Sequence, residues 1–102
     1  MIVVANRIFV TEGHEEAFED RFRNRTHLVD HQPGFIRNEV LRPLRPELPY
    51  VVLTHWKDRD SFEAWIKSPE FRQAHQNLPP TEMFSRDNLF EIHEVVQTTD
   101  PA

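Results

Sequence analysis

The sequence has 102 residues, 38% hydrophobic and 28% charged, and 17 acidic against 12 basic residues give a net charge of -5. This length predicts one compact domain, and the acidic balance argues against nucleic acid as the main partner, because phosphate binding needs a basic surface. The absence of cysteine excludes disulfides, thiolate metal sites and cysteine nucleophiles. No stretch approaches the roughly 20 apolar residues that span a bilayer. The apolar N-terminus is too short for a signal peptide, so we expect a soluble cytoplasmic protein with no membrane partner.

An alternating pattern over residues 2–10 predicts a β-strand that is apolar on both faces, as expected of a central strand covered on each side. Asn6 lies in the middle of the more apolar face. A buried carboxamide costs about 1–3 kcal/mol unless its hydrogen bonds are satisfied. Asn6 therefore either bonds to neighbouring backbone at a bulge, which is the structural interpretation, or serves a ligand.

The residues from His14 to about Val29 predict a helix with arginines interspersed along it, among them Arg21, Arg23 and Arg25. These arginines are most simply a solvated face that pairs with acidic residues one helical turn away. The alternative is that one or two of them reach an anionic ligand.

Two further strands are predicted over residues 35–41 and 50–56, joined by a loop with three prolines that is typical of a hairpin with a stiff connection. Asp58 is a good N-cap for a short helix that carries Trp65. The dipeptide Ser68-Pro69 then begins a second helix, since Ser is a preferred cap and Pro a preferred first helical residue.

The second of these helices places His75 on a stripe with Phe71, Ala74 and Leu78, so we expect its imidazole among apolar neighbours. A lone His in that position is more often a satisfied core residue than a ligand. Trp65 is likewise more often part of a core than the wall of a cofactor site. A neutral imidazole in apolar surroundings nevertheless suits an iron porphyrin, which is large, flat and apolar and needs an axial ligand.

Residues 77–88 favour an irregular loop or flap, and residues 89–96 a last strand. The order strand, helix, strand, strand, helix in two pieces, strand is that of the ferredoxin-like split βαβ fold, an α+β class with an antiparallel sheet. The first strand and the strand around Val51 are apolar on both sides, while the helices can cover only one face. We therefore expect a second copy of the sheet on the other face, as a homodimer forming an α+β barrel.

In the sequences around Asn6, Trp65 and His75 the chain resembles the haem-degrading monooxygenases of the IsdG type, within the wider antibiotic biosynthesis monooxygenase (ABM) family. The resemblance follows the element order over nearly the whole chain. It is strongest in three segments, Ala5-Asn6-Arg7, Trp56-Lys57 and Trp65 through His75. It implies one ferredoxin-like ABM domain over residues 1–97, followed by a flexible tail over residues 98–102. The loop over residues 77–88 departs from the family pattern.

The resemblance also implies roles. His75 would be the proximal haem ligand and so the metal-binding residue, Asn6 would hydrogen-bond oxygen species on the open side, and Trp65 would bend the porphyrin out of plane. Arg21 or Arg25 would meet the haem propionates. Haem would then be both substrate and cofactor, cleaved with O2 and electrons from an external donor, an unidentified reductase, to release iron.

Two other functions stay open at this point. One is a cofactor-free monooxygenase of the same family acting on a small aromatic compound or quinol, with His75 as a proton relay or core residue. The other is a dimeric module that binds haem without turnover. The spectrum of the protein mixed with haemin, before and after adding ascorbate, distinguishes these functions.

Overall fold

The computed structural model of the chain describes residues 1–25 and 27–101. In chain order the main elements are strand β1 (Ile2–Ile8), helix α1 (Glu15–Arg23), strands β2 (Phe35–Leu41) and β3 (Tyr50–Trp56), helices α2 (Arg59–Ile66) and α3 (Pro69–Ala74) and strand β4 (Leu89–Glu94). The strands form one antiparallel sheet in the order β2-β3-β1-β4. This confirms the predicted α+β, ferredoxin-like arrangement with β1 in the centre of the sheet. Within the described residues, no helix is long and apolar enough to cross a membrane.

The helices cover one face of the sheet through two separate hydrophobic clusters. The first cluster joins β1 and β3 to α2, and its buried members are Ile2, Val4, Val29, Trp56, Phe62 and Trp65. The second joins the other end of the same strands to α1, and its buried members are Ile8, Phe18, Tyr50 and Met83. Because β1 runs through both clusters, the residue between Val4 and Ile8 on this face lies where they meet. That residue is Asn6.

The starts of α2 and α3 are built as the sequence predicted. The side chain of Asp58 accepts a hydrogen bond from the Ser61 amide at 2.8 Å, and the Ser68 hydroxyl accepts one from the Phe71 amide at 3.1 Å. Pro69 occupies the first turn of α3, where its missing N–H leaves no bond unmade. These caps set the direction of the two helices that carry Trp65 and precede His75.

Gly34 holds the turn before β2 close to the first turn of α2. Its φ of +82° lies in the left-handed region, and a Cβ at this position would overlap the Ser61 side chain. Only glycine satisfies both conditions. Its carbonyl also accepts a hydrogen bond from the Lys57 amide at 2.8 Å, which fixes β2 to the approach of α2.

The predicted helix from His14 to Val29 was too long. α1 ends at Arg23, and a separate 3-10 helix covers Leu28–His31. The Asn24 side chain bonds back to the Asp20 carbonyl at 2.9 Å, and His27 has a φ of +61°, which no continuing helix accommodates. Thr26, within the predicted helix, lies outside the described residues.

The strand ends and the predicted loop also differ from expectation. β1 ends at Ile8, and Val10 pairs instead with Phe84 in an isolated bridge, which orders part of the segment over residues 77–88. In that segment the 3-10 helix Thr81–Met83 buries Met83 in the second cluster. β4 ends at Glu94, two residues earlier than predicted. The flexible tail over residues 98–102 stays a prediction, and Ala102 lies outside the described residues.

Candidate functional site

Asn6 presents a buried polar atom at the junction of the two hydrophobic clusters. Its Oδ1 has no hydrogen-bond partner within residues 1–25 and 27–101. The residues directly opposite it, Val52 on β3 and Phe90 on β4, are apolar. The register of β1 is continuous through Asn6 with both neighbouring strands. The β-bulge at which Asn6 was expected to bond to neighbouring backbone is therefore not present. An unsatisfied buried group of this kind costs about 1–3 kcal/mol, which suggests a site kept for a ligand.

Trp65 is buried in the first cluster, with 7% of its surface exposed. It lies on α2, in the last turn, and its indole meets the ring of Phe71 edge-on, with centroids 5.5 Å apart and planes at 84°. The next residue along the helix, Ile66, is 39% exposed, so the helix turns Trp65 and not Ile66 into the core. Trp65 is thus a core residue of α2 that also contacts α3 through the ring of Phe71.

His75 is not on the apolar stripe that the sequence predicted. It caps the C-terminus of α3 and is exposed, and Leu78 beyond it is 82% exposed. The helix ends at Ala74, because the backbone of His75 leaves helical geometry with φ -108° and ψ 17°. The His75 side chain bonds the carbonyl of Phe71 there, and Pro79 and Pro80, through which an α-helix cannot continue, soon follow. The imidazole lies against the ring of Phe71, with a centroid distance of 4.1 Å and an angle of 32° between the planes.

The hydrogen bond of His75 determines which of its ring nitrogens carries the proton. Its Nδ1 lies 2.8 Å from the carbonyl oxygen of Phe71. A carbonyl oxygen can only accept, so Nδ1 is the donor, and in the neutral ring Nε2 then carries the lone pair. A metal-bound histidine is typically held in this way, by a second-shell acceptor on the nitrogen that does not bind the metal.

The predicted propionate partners are already paired within the protein. Arg21 on α1 donates from Nη2 to the carbonyl of Asn77 at 2.5 Å, which brings α1 to the segment just after His75. Arg25 donates to the Asp30 carboxylate at 2.9 Å. Arg21 therefore lies near the His75 segment, and Arg25 is held by its own counter-charge beside the 3-10 helix.

A cavity of 460 Å³ opens on the same face of the sheet as Asn6. It is lined by Glu19, Phe22, Arg23, Asn38, Val40, Arg42 and Tyr50. Val40 stands opposite Val52, which in turn stands opposite Asn6, so the cavity and Asn6 share one cross-strand row. No pattern in the sequence indicates this cavity, because its walls come from α1, β2 and β3, which are far apart along the chain.

Glu19 is the charged centre of that cavity wall. It accepts hydrogen bonds from Arg42 Nε at 2.7 Å and from the Tyr50 hydroxyl at 2.5 Å, and it also pairs with Arg23. The bonds from Arg42 and then Tyr50 lower the pKa of Glu19 to about 2. Burial, followed by the bond to Glu19, raises the pKa of Tyr50 to about 12. This network fixes α1 against the β2–β3 end of the sheet.

We expect the replacement Glu19→Gln to destabilise the protein at neutral pH and to have less effect in acid. The carboxylate's pKa is lowered in the folded state, from its ordinary 4.5 to about 2, so its stabilisation is present above pH 4.5 and is lost as the pH falls towards 2. The melting temperatures of wild type and variant, followed against pH, should converge through this window. A gap that does not change with pH would contradict the assignment. Glu12→Gln, an exposed change outside the network, is the control.

The family model for antibiotic biosynthesis monooxygenase matches residues 1–77 of the chain. The chain belongs to this family. Asn6, Trp65, His75 and both predicted arginines lie inside the matched segment, and the family predicted from the sequence is confirmed. The individual roles of these residues in an ABM protein remain predictions.

Proteins similar to this chain carry specific activities. A mycobilin-producing haem oxygenase of Mycobacterium tuberculosis is 40% identical over 95 residues, which cover 93% of this ABM chain and 90% of the relative. The haem degrader MhuD of the same organism, solved with two haems in its active site, superposes with a TM-score of 0.81 at 32% identity, covering 98% of this chain and 100% of that one. SnoaB, a cofactor-independent oxygenase from Streptomyces nogalater, superposes with a TM-score of 0.73 at 26% identity, covering 95% and 94%.

Within the described part of this ABM chain, no three side chains of His, Cys, Asp or Glu come together in a way that could bind a metal ion.

Proposed function

We propose that this ABM protein is a haem-degrading monooxygenase for which haem is both substrate and cofactor. The observation that carries the proposal is the buried, unpartnered carboxamide oxygen of Asn6, placed between two apolar clusters. A rotation about χ2 exchanges the oxygen and nitrogen of a carboxamide, so this position offers either an acceptor or a donor to a ligand. The haem-degrading activity of the 40% identical relative supports haem as that ligand.

The described residues fit a haem. His75 offers one bare imidazole nitrogen, which is what an iron porphyrin requires as its axial ligand. Phe22 and Phe71 are half-buried, and Phe90 beside Asn6 is 56% exposed, so flat apolar surface is available around the site. Arg21 is the better candidate for a propionate, because its present partner is a neutral carbonyl and exchange for a carboxylate strengthens its bond. Arg25 would have to leave Asp30.

Bound haem supplies the redox-active iron and the ring that is opened. His75 would hold the iron through Nε2, because the Phe71 carbonyl keeps Nδ1 protonated. Asn6 would offer its buried carboxamide to a ligand in the same site. Trp65, backed by the first cluster, would form a rigid wall for the porphyrin. O2 is the oxidant, and an external donor, through a reductase partner, supplies the electrons.

The test of this function is a titration of the purified protein with haemin, followed by ascorbate in air. We expect a Soret band typical of a histidine ligand that saturates at a defined stoichiometry and then bleaches as a linear tetrapyrrole appears. A saturating spectrum without bleaching would contradict turnover and leave a haem-binding module. The absence of any haemin complex would instead favour a cofactor-independent oxygenase of the SnoaB kind.

We expect Asn6→Leu to raise the stability of the haem-free protein and to abolish turnover. Leucine has nearly the shape of asparagine, so the change removes an unsatisfied buried oxygen without leaving a cavity, and the free energy of unfolding should rise by about 1 kcal/mol or more. Haemin should still bind, because His75 is unchanged, while bleaching with ascorbate should stop. Denaturant unfolding, haemin titration and bleaching on one preparation measure all three. Bleaching at the wild-type rate would leave Asn6 without a functional role.

We also propose a homodimer through the sheet face opposite the helices. That face carries an apolar set, Val3, Ala5, Leu41, Val51 and Leu53, beside the ion pair Arg7–Glu91 and the hydrogen bond between His55 and Glu39, each at 2.8 Å. Light scattering should give twice the chain mass of 12.2 kDa. Leu53→Arg should give the single-chain mass, while Leu44→Arg, at a position 95% exposed, should not change it. A single-chain mass for the wild type would contradict the dimer.

A further inference from the structure

Phe71 is in direct contact with both Trp65 and His75. Its ring meets the Trp65 indole edge-on with centroids 5.5 Å apart, and it lies against the His75 imidazole with centroids 4.1 Å apart and planes tilted by 32°. It is half-buried and packs against the first cluster, whereas His75 is exposed. The backbone of Phe71 is also fixed, since its amide donates to the Ser68 hydroxyl in the cap of α3. An exposed imidazole is thus joined through one residue to the core.

The same residue makes the polar contact with His75. The carbonyl of Phe71 accepts from the His75 amide at 3.1 Å and from the imidazole Nδ1 at 2.8 Å. One residue therefore sets both the orientation of the imidazole, by the contact between the two rings, and its tautomer, by the hydrogen bond.

His75 needs this support because of where it lies. α3 has only six residues, far below the roughly 12 at which an isolated helix becomes marginal, and its last residues fray unless a tertiary contact holds them. An exposed side chain at such an end would sample several rotamers. Stacking on Phe71, itself held by Trp65, restricts the imidazole to the rotamer in which Nδ1 reaches the carbonyl.

We propose that Phe71 is a positioning residue for His75. Its ring holds the imidazole over its own carbonyl, so that Nδ1 is protonated and Nε2 is bare. This inference rests on the proposed function for the claim that Nε2 receives the haem iron. The positioning itself is a property of the haem-free protein. It also gives Trp65 a second route of action, through Phe71 to the ligand.

The test is the tautomer of His75 in the haem-free protein, read from two-bond nitrogen–proton NMR correlations at mildly alkaline pH. The wild type should show the Nδ1–H form, with imidazole protons shifted upfield by the Phe71 ring. Phe71→Leu and Phe71→Met should lose that upfield shift and give the tautomer mixture of a free imidazole. Phe71→Tyr, which keeps the ring, should restore both signals. An Nδ1–H tautomer retained in the Leu and Met variants would overturn the proposal.

The matched control is Phe62→Leu. It removes an aromatic ring from the same cluster, but Phe62 contacts Trp56 and Phe90 and does not touch His75. The His75 signals of Phe62→Leu should equal those of the wild type, even if the melting temperature of this variant falls further than that of Phe71→Leu. A changed tautomer in this control would show that general loosening moves His75, which would overturn the specific role of Phe71.

A second measurement links the positioning to the ligand. Phe71→Leu should weaken haemin binding about tenfold, the low end of the effects seen for second-shell residues, while Phe71→Tyr should bind like the wild type. Equal affinity in both variants would contradict the role in ligation. The NMR result needs no haem, so a wild-type protein that binds no haemin would count against the proposed function alone.

Discussion

Replacing His75 by alanine should remove the axial-ligand signature from the Soret region of the haemin complex and weaken haemin binding by about 100-fold or more, beyond the range for second-shell residues. The reason is that His75 offers the one bare nitrogen that the proposal assigns to the iron. Since the side chain is exposed at the end of α3, the melting temperature should change little. Haemin titration followed by absorbance measures the effect.

The control for this variant is His14→Ala. His14 occupies the N-cap position of α1 without making a side-chain cap bond, so its loss should alter neither stability nor haemin binding. If His75→Ala keeps the wild-type spectrum, the assignment of the ligand is wrong. His55, which is buried against Glu39 on the opposite sheet face, and His27 would then be tested in the same way.

Trp65→Ala should destabilise the fold by about 3–5 kcal/mol, because it empties a site in the first cluster where 7% of the residue is exposed. That is a large part of the stability of an ordinary domain, about 5–15 kcal/mol, so the variant should be partly unfolded near physiological temperature. Urea unfolding measures the change. A loss below about 1 kcal/mol would mean that the cluster collapses around the gap and that Trp65 is not a packing residue.

Trp65→Phe separates packing from chemistry at the same position. It keeps an aromatic ring against Phe71 but shortens it, so the fold and haemin affinity should largely survive. If Trp65 bends the porphyrin, the rate of haem degradation should drop much further than the melting temperature or the haemin affinity. The matched control is Trp56→Phe, a fully buried Trp of the same cluster that contacts Phe35 and Phe62. If Trp65→Phe lowers stability, haemin affinity and degradation rate equally, Trp65 is a core residue and has no separate role in the reaction.

The parts of the fold that follow from local pattern were predictable from the sequence. Alternation located β1, and Asp58 and Ser68 marked the starts of α2 and α3 because caps act within one turn. Asn6 was recognisable because a carboxamide interrupts an apolar alternation, and the structure leaves that atom without a partner. Alternation and capping residues predict an element correctly where no contact with a distant part of the chain changes it.

The errors arose where a local pattern was overridden. Helical spacing extended α3 past His75, but the backbone leaves helical geometry at His75, and Pro79 and Pro80 follow. The wall formed by Glu19, Arg42 and Tyr50 was missed because its members are 23 and 31 positions apart and carry no shared motif. Such a network exists only once α1 has docked on the sheet, so spacing along the chain does not reveal it.

The most direct test of haem degradation is the iron balance during ascorbate-driven turnover in air. Iron released to a chelator is measured against haem lost from the Soret band, with catalase present to remove free peroxide. About one iron should be released per haem consumed, unchanged by catalase and abolished in Asn6→Leu, because ring opening destroys the closed macrocycle that encloses the metal. Loss of the Soret band without iron release, or complete protection by catalase, would contradict enzymatic haem degradation.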